Sequence, residues 1–442
     1  MKKRVQLFFE AGHHNSRSVW PVLFGVILGL TCLRQHLVSN YNCELCADKA
    51  GYYMYLPASF GMGFHADAYP GNFDHDHGDG FHLDRQSNRV VTKFTCGVAI
   101  LDAPFYALGA IAGRIFSPGT SPYSYFYLFF INIGAAFYVT AGMYFLRRWL
   151  DHYTGRITSF LAVLAVFAGT NLYYYTLDES LMSHVYSFAL FCFVLYAMKE
   201  YTLSHSFSHF IFFSVSLSLA ILIRPTNFLF GIFALLTDVK NPGDLKRKFS
   251  LFISFRNITA FLVIFFLVML PQVIYWKFAF GKYVVWSYEG EGFTNWNDPA
   301  FLTVWFSPQS GLFTYTPLLL VPLVFAVYMV RKKIPNGVLV LAAFFIVSYL
   351  CASWHNPFFG VCNFGKRPFV EYLPLLMFPL ALLFERFGSL PKFRRNIVLV
   401  SVLFFIYYNQ ALFAAFNTCF PGSEWDWREF FHFLGRALPL IR

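Results

Sequence analysis

The chain has 442 residues, of which 57% are hydrophobic and 13% charged, and its mean hydropathy is +0.50. A soluble domain carries about a quarter charged residues, so this composition excludes an ordinary soluble protein and indicates an all-α polytopic membrane protein. The net charge of +11 sits in short, scattered clusters with no binding module around them, which argues against nucleic acid as a partner and for a topology signal.

A membrane span needs about 20 mostly apolar residues. Eleven segments read as spans: 18–38, 122–146, 157–176, 185–203, 209–223, 225–239, 257–279, 312–330, 336–354, 370–385 and 396–416. The short pair 209–223 and 225–239 flanks Arg224-Pro225-Thr226-Asn227 and reads as two short spans or one bent, re-entrant pair. Backbone groups freed at that break must be met by protein or by a water-filled cavity. With the N-terminus inside, Lys2-Lys3-Arg4, Arg147-Arg148, Lys246-Arg247-Lys248, Arg331-Lys332-Lys333 and Arg394-Arg395 collect on the inner side, and most acids fall outside. The first apolar run reads as a retained span, because its polar lead is long and no small-x-small cleavage site follows.

The chain reads as one membrane domain over 1–442, with short inner connections and long outer segments at 39–121, 280–311 and 355–369 and from 417 onward. Long ordered loops usually carry function. In the first loop, 51–62 predicts a short helix with Tyr52, Tyr55, Leu56 and Ser59 on one face. Residues 63–93 form a His- and Asp-rich insertion. Residues 97–116 are apolar but contain Asp102 and Pro104, and a span there would invert the charge pattern, so they predict a helix on the membrane surface. The outer Cys43-x-x-Cys46 suits a disulfide more than a zinc half-site, since no second CxxC completes one; pairing among Cys96, Cys362 and Cys419 stays open.

Five constellations carry candidate chemistry. Asp48 follows the first span beside Tyr52 and Tyr53. Tyrosines at that depth are ordinary interface residues, but they need no acid, and a carboxylate there can take a proton from an incoming hydroxyl. In YYYTLDESLMSH, Asp178, Glu179 and His184 fall in a short outer turn and suit a sugar or a metal, against the plain reading of a solvated turn. In NFGKRPFVEYLP, Lys366 and Arg367 are outer bases at headgroup depth, suited to phosphate, with snorkelling as the plain reading. Arg224 is a second candidate of that kind. In the insertion, His75, His77, Asp74 and Asp76, with neighbouring His65, His82, Asp67, Asp79 and Asp84, are fit ligands for zinc or a harder divalent ion. A low-complexity, Gly-rich loop there argues for a solvated segment over a built site. The fifth, 286–317, mixes Trp, Tyr, Asn and acids and suits either sugar rings or an interfacial loop.

The stretches ADKAGYYMYLPASF, KFTCGVAILDAPFYALG, SPQSGLFTYTPLL and FGKRPFVEYLP together resemble the GT-C superfamily of membrane glycosyltransferases, whose relatives include protein O-mannosyltransferases and the aminoarabinose transferase of lipid A. The resemblance runs over most of the chain through loose motifs. It implies an inverting transfer of a sugar from a polyprenyl phosphate-type lipid donor to a glycan, lipid or protein hydroxyl, at the extracytoplasmic face of a bacterial-type plasma membrane. Asp48 would be the general base, Lys366, Arg367 and Arg224 would hold the donor phosphate, and Tyr52, Tyr53, Asp178, Glu179 and His184 would face the acceptor or sugar. No cofactor is required, and a divalent metal stays open. Where many relatives carry two adjacent acids, Lys49 follows Asp48 here; Glu44 is no substitute on spacing, and Asp178 and Glu179 are placed to supply the second acid. The His-rich insertion has no counterpart. The competing readings are a transporter or flippase of lipid-linked sugars, favoured by the Arg224-Pro225 break, and a polysaccharide ligase or polymerase, which would put its dominant outer loop late in the chain.

Overall fold

The computed structural model describes residues 19–37, 45–288, 290–360, 362–416 and 419–438. Lys2-Lys3-Arg4, Cys43 and Glu44 lie outside the described residues. The main helices are α1 (Val19–Leu37), α2 (Asp48–Tyr53), α3 (Gly97–Phe116), α4 (Tyr125–Leu150), α5 (Arg156–Ala168), α6 (Leu172–Leu177), α7 (Ser183–Ser204), α8 (Phe207–Ile223), α9 (Phe228–Leu236), α10 (Phe255–Phe280), α11 (Leu320–Arg331), α12 (Gly337–Ser353), α13 (Phe378–Glu385), α14 (Lys392–Ala415) and α15 (Trp427–Ala437). Among the described residues five helical stretches are long and apolar enough to cross a membrane: Gly97–Phe116, Tyr125–Leu150, Phe255–Phe280, Arg367–Glu385 and Lys392–Ala415. Six shorter apolar helices accompany them, Val19–Arg34, Arg156–Ala168, Phe207–Ile223, Pro225–Leu236, Pro317–Arg331 and Gly337–Ser353.

Several predicted spans are broken by short turns, not continuous. Residues 157–176 divide into α5 and α6 at Gly169–Asn171, and 312–330 is interrupted by a 3₁₀ turn at Pro317–Leu319. The 370–385 segment begins as a 3₁₀ turn, Arg367–Tyr372, with Pro368 near its start. Proline tolerates a helix start but removes an interior hydrogen bond, so the breaks at Pro317 and Pro368 follow from local sequence.

α4 and α7 lie parallel. Ser180 Oγ donates to Asn132 Oδ1 at 2.7 Å, Tyr138 and Tyr186 meet at 5.5 Å, and Phe145 and Phe193 at 5.0 Å. Gly142 makes the approach possible, since a Cβ there would stand 2.9 Å from Ala189 Cα. α8 and α9 form a hairpin against α7 whose tip is the Arg224 break. Asn227 Nδ2 at that tip donates to Ala220 O at 3.0 Å and Ser187 Oγ at 3.1 Å, so protein groups meet part of the polar demand of the break.

Residues 97–116, expected on the membrane surface, form one continuous helix packed on α4. α3 is one of the five helices with the length and hydropathy to cross a membrane. It packs antiparallel to the first half of α4: Tyr138 Oη donates to Leu101 O, while Gly134 faces Asp102 and Phe105, and Gly109 faces Phe130. Asp102, which argued against burial in an apolar layer, turns inward and accepts from Tyr186 Oη at 2.7 Å. The outward face is apolar, with Leu108, Ile111, Ile115 and Phe116 exposed.

In the first loop, helix begins at Asp48, three residues earlier than expected. Tyr52, Tyr55 and Leu56 are buried, but Ser59 is exposed. The insertion is ordered around a two-stranded ribbon, β1 (His82–Asp84) and β2 (Arg89–Val91), with Leu83 opposite Val90. Cys362 is bonded to Cys419, and Cys46 is also in a disulfide, bonds that persist away from a reducing compartment.

Candidate active site

The backbone just before Asp48 is under strain. Ala47 has φ 53° and ψ −133°, a region that side-chain-bearing residues rarely occupy and that costs about 1–3 kcal/mol. The insertion holds it there: Ala47 N–H donates to His77 O at 2.9 Å, and a Cβ on Gly80 would lie 1.8 Å from Ala47 O. Thr92 Oγ1, beside the ribbon, donates to Gly80 O at 3.1 Å and lies 3.4 Å from Gly51 O. The His-rich insertion is therefore the brace of the Asp48 turn.

Asp48 Oδ2 accepts from Arg367 Nη1 at 2.9 Å, across 319 residues of sequence. The carboxylate stays 31% exposed. Three further ion pairs surround this one. Lys49 reaches Glu179 at 3.2 Å, Arg34 Nε reaches Asp178 at 2.9 Å, and Arg224 Nη1 reaches Glu371 at 3.0 Å. Arg34 also donates to Phe416 O, which brings α1 and the end of α14 to the same place. Burial raises the Asp178 carboxyl above its ordinary value, with Arg34 pulling the other way.

His184 joins the Arg224–Glu371 pair. Its Nδ1 lies 2.8 Å from Glu371 Oε1 and its Nε2 3.3 Å from Arg224 Nη2. A carboxylate accepts and a guanidinium donates, so Nδ1 carries the proton and Nε2 is the acceptor, which fits a neutral ring. Tyr52 Oη donates to Ser183 Oγ at 3.1 Å, fixing α2 on the start of α7. Tyr288 lies within electrostatic reach of Tyr52, Arg224, Asp48 and Arg367, and burial raises its phenol above the ordinary value.

Two buried donors in this cluster have no hydrogen-bond partner among the described residues: Arg367 Nε and Tyr175 Oη. Tyr175 lies within electrostatic reach of Arg367 and Arg224. A buried donor left unmade costs about 1–3 kcal/mol. Two such groups beside two guanidiniums, next to a partly exposed carboxylate, are suited to oxygen atoms of an anionic substrate.

The structure thus brings Asp48, Arg367, Arg224, Tyr52, Asp178, Glu179 and His184 to one end of the bundle. Asp178 and Glu179 are engaged by Arg34 and Lys49, and serve there as anchors of α1 and α2. Tyr53 is turned elsewhere: it is fully buried, donates to Pro122 O and packs on Tyr106 and Tyr123, so it is a packing residue and not an acceptor contact.

Lys366 departs from its neighbour. Its Nζ donates to Pro357 O at 2.6 Å and Ser310 Oγ at 3.1 Å, under the rings of Phe358 and Phe359. Burial pulls this ammonium down to about 7. Adjacent residues at the start of a 3₁₀ turn project in different directions, so the expected cationic pair is divided and Arg367 alone meets Asp48.

The sequence left a metal site in the insertion open. Among the described residues no group of three or more His, Cys, Asp or Glu could hold a metal ion. Asp74 accepts from Leu83 N–H and pairs with His82, His75 pairs with Asp79, and His77 is bonded to Phe73 O and packed on Phe73 and Tyr123. Asp76 belongs to the same short turn, where its backbone carbonyl faces Cys46 Sγ. These side chains are spent on local turns and point apart.

Sequence reasoning missed Glu371, Arg34, Tyr175 and the strain at Ala47. Glu371 had a usable signal, since an acid inside an apolar segment is a functional pointer by default, and Arg224 is its natural counterion. No protein-family model, no curated protein and no solved structure matches this chain.

Proposed function

We propose that this protein is an inverting glycosyltransferase of GT-C type, moving a sugar from a polyprenyl phosphate-type lipid to an acceptor hydroxyl at the extracytoplasmic face. The observation that carries the reading is the partly exposed Asp48 carboxylate, held at 2.9 Å by Arg367 on a strained turn. Orphaned donors of Arg367 and Tyr175 lie beside it. A lipid phosphate entering here competes with Asp48 for the Arg367 guanidinium and takes the Nε and Tyr175 donors. That exchange frees the carboxylate as the anion arrives.

The acceptor oxygen then attacks the anomeric carbon while the bond from that carbon to the phosphate oxygen breaks. The bonding electron pair leaves with the phosphate, and the hydroxyl proton passes to Asp48. One displacement inverts the centre and needs no covalent sugar-enzyme bond. Arg367 and Arg224 stabilise the charge that grows on the leaving phosphate, and positioning of the two substrates supplies much of the rest.

The test compares cell-envelope glycans by mass analysis in a deletion strain carrying either the wild-type chain or Asp48→Asn. Loss of one specific glycosyl addition, restored by wild type and not by Asp48→Asn at equal membrane abundance, supports transfer. Full restoration by Asp48→Asn rejects it. Accumulation of a lipid-linked sugar on the wrong leaflet would favour the flippase reading.

A further inference from the structure

At the end of the bundle opposite Asp48 there is a cavity of about 440 Å³. Phe378 and Leu382 of α13 give it apolar lining, and Lys199, Lys240 and Arg247 supply cations. One wall is built with care. Lys199 Nζ is held 2.8 Å from Asp238 and lies 4.6 Å from the centre of the Tyr153 ring. Asp238 also accepts from Tyr153 Oη at 2.7 Å and from Asn336 Nδ2 at 3.0 Å, while Asn336 Oδ1 accepts the Asp238 backbone N–H at 2.6 Å. Both residues occupy left-handed backbone, Asp238 at φ 61° and Asn336 at φ 69°, a geometry that persists only where surroundings over-determine it.

Two cations on this cavity are not neutralised in the same way. Lys240 takes part in no ion pair among the described residues, and Arg247 stands 3.8 Å from Asp244 while 77% exposed. Arg247 lies on the helix Pro242–Phe252 beside Lys246, while Lys248 is buried and its ammonium donates to Leu235 O and Thr237 O. Phe249, Ile253 and Phe255 follow closely and are 42%, 58% and 88% exposed. Apolar side chains next to a basic run mark a segment lying at the headgroup boundary, with the rings in acyl chains and the bases among phosphates. Asp238 and Asp244 also line the cavity, so three bases stand against two acids there, and the exposed apolar side chains follow Arg247 closely along the chain.

We propose that this cavity binds the phosphodiester headgroup of an anionic phospholipid from the leaflet on that side. Lys240 and Arg247 hold the phosphate, Lys199 is the positioned cation of the wall, and the acyl chains run along Phe249, Ile253 and Phe255. The site is separate from the proposed sugar transfer and stands or falls without it.

The test uses the full chain purified in detergent, titrated with phosphatidylglycerol or phosphatidylcholine and followed by native mass spectrometry and thermal melting. Phosphatidylglycerol is expected to stay bound and raise the melting temperature, phosphatidylcholine to do neither. The Lys240→Ala/Arg247→Ala variant should bind phosphatidylglycerol about tenfold or more weakly, and Lys240→Arg/Arg247→Lys should retain it. Equal melting of both variants and wild type before lipid is added checks the fold; should the alanine pair melt lower, Lys240→Gln alone replaces it. No preference between the two lipids, unchanged binding by the alanine variant, or an equal shift from inorganic phosphate alone would each overturn the proposal.

Discussion

Around Asp48 four acids meet four bases: Asp48 with Arg367, Asp178 with Arg34, Glu179 with Lys49, and Glu371 with Arg224. Around Asp238, at the other end, one tight pair with Lys199 stands among bases that have loose partners or none among the described residues. The difference lies in burial. Glu371 is 2% exposed and Arg224 22%, so a charge there must be balanced by the chain itself. Arg247 is 77% exposed, where water and lipid phosphates can balance it. Charge at the first end is internal architecture, and at the second it is an offer to the surroundings.

The hardest blow to this contrast is Glu371→Gln. It leaves Arg224 without its counter-charge while the Gln oxygen can still accept from His184, and breaking a buried pair costs about 3–5 kcal/mol. Melting of the detergent-solubilised variant should fall sharply, whereas removing Lys240 and Arg247 should leave the melting of lipid-stripped protein unchanged. Similar losses at both ends would erase the distinction.

Gly80→Ala should come next. Its Cβ would overlap Ala47 O at 1.8 Å, so the turn that presents Asp48 must shift. Turnover should drop about a hundredfold, the scale of a reacting group misplaced by 1 Å. Ala47→Gly should act in the other sense on stability, adding about 1 kcal/mol by relieving strain at φ 53°.

The last effect, read only as a pH dependence, concerns Lys366. Its ammonium titrates near 7 when folded, against 10.5 for an unburied lysine. Between those values the unfolded chain holds a proton that the folded chain has released, so stability rises with pH across that window and is lower at its acid end. Lys366→Met should flatten the melting profile between about pH 7 and 10. A wild-type profile already flat there would place Lys366 in a wetter setting than its burial implies.

Much of this was legible in the residues. Composition gave the membrane class, and Asp48, Arg224 and Arg367 stood out as charges where apolar segments end. The contact between Asp48 and Arg367 follows only from the fold, because nothing local links residues 319 apart. Lys49 looked like a defect in a two-acid pattern, yet it is the anchor that draws Glu179 in. The insertion offered metal-ligand types within a segment read as solvated, because side-chain directions are not visible in a sequence. Its task is steric, and steric work by Gly80 and a backbone carbonyl leaves almost no mark on composition. Lys366 and Arg367 looked like one unit for the same reason, since adjacency says nothing about which way each side chain leaves a 3₁₀ turn.

The link between Cys362 and Cys419 bears on the order in which the protein is made. Arg367 emerges from the ribosome just after one half of that link, and the other half follows some fifty residues later, on the far side of α14. The loop leading to Arg367 can be tied down only once that last long helix has been inserted and its trailing residues have reached an oxidising compartment. A nascent chain halted before residue 419 would hold nearly every charged side chain of the cluster and still lack the tether, so assembly of the face that carries Arg367 is tied to the completion of membrane insertion.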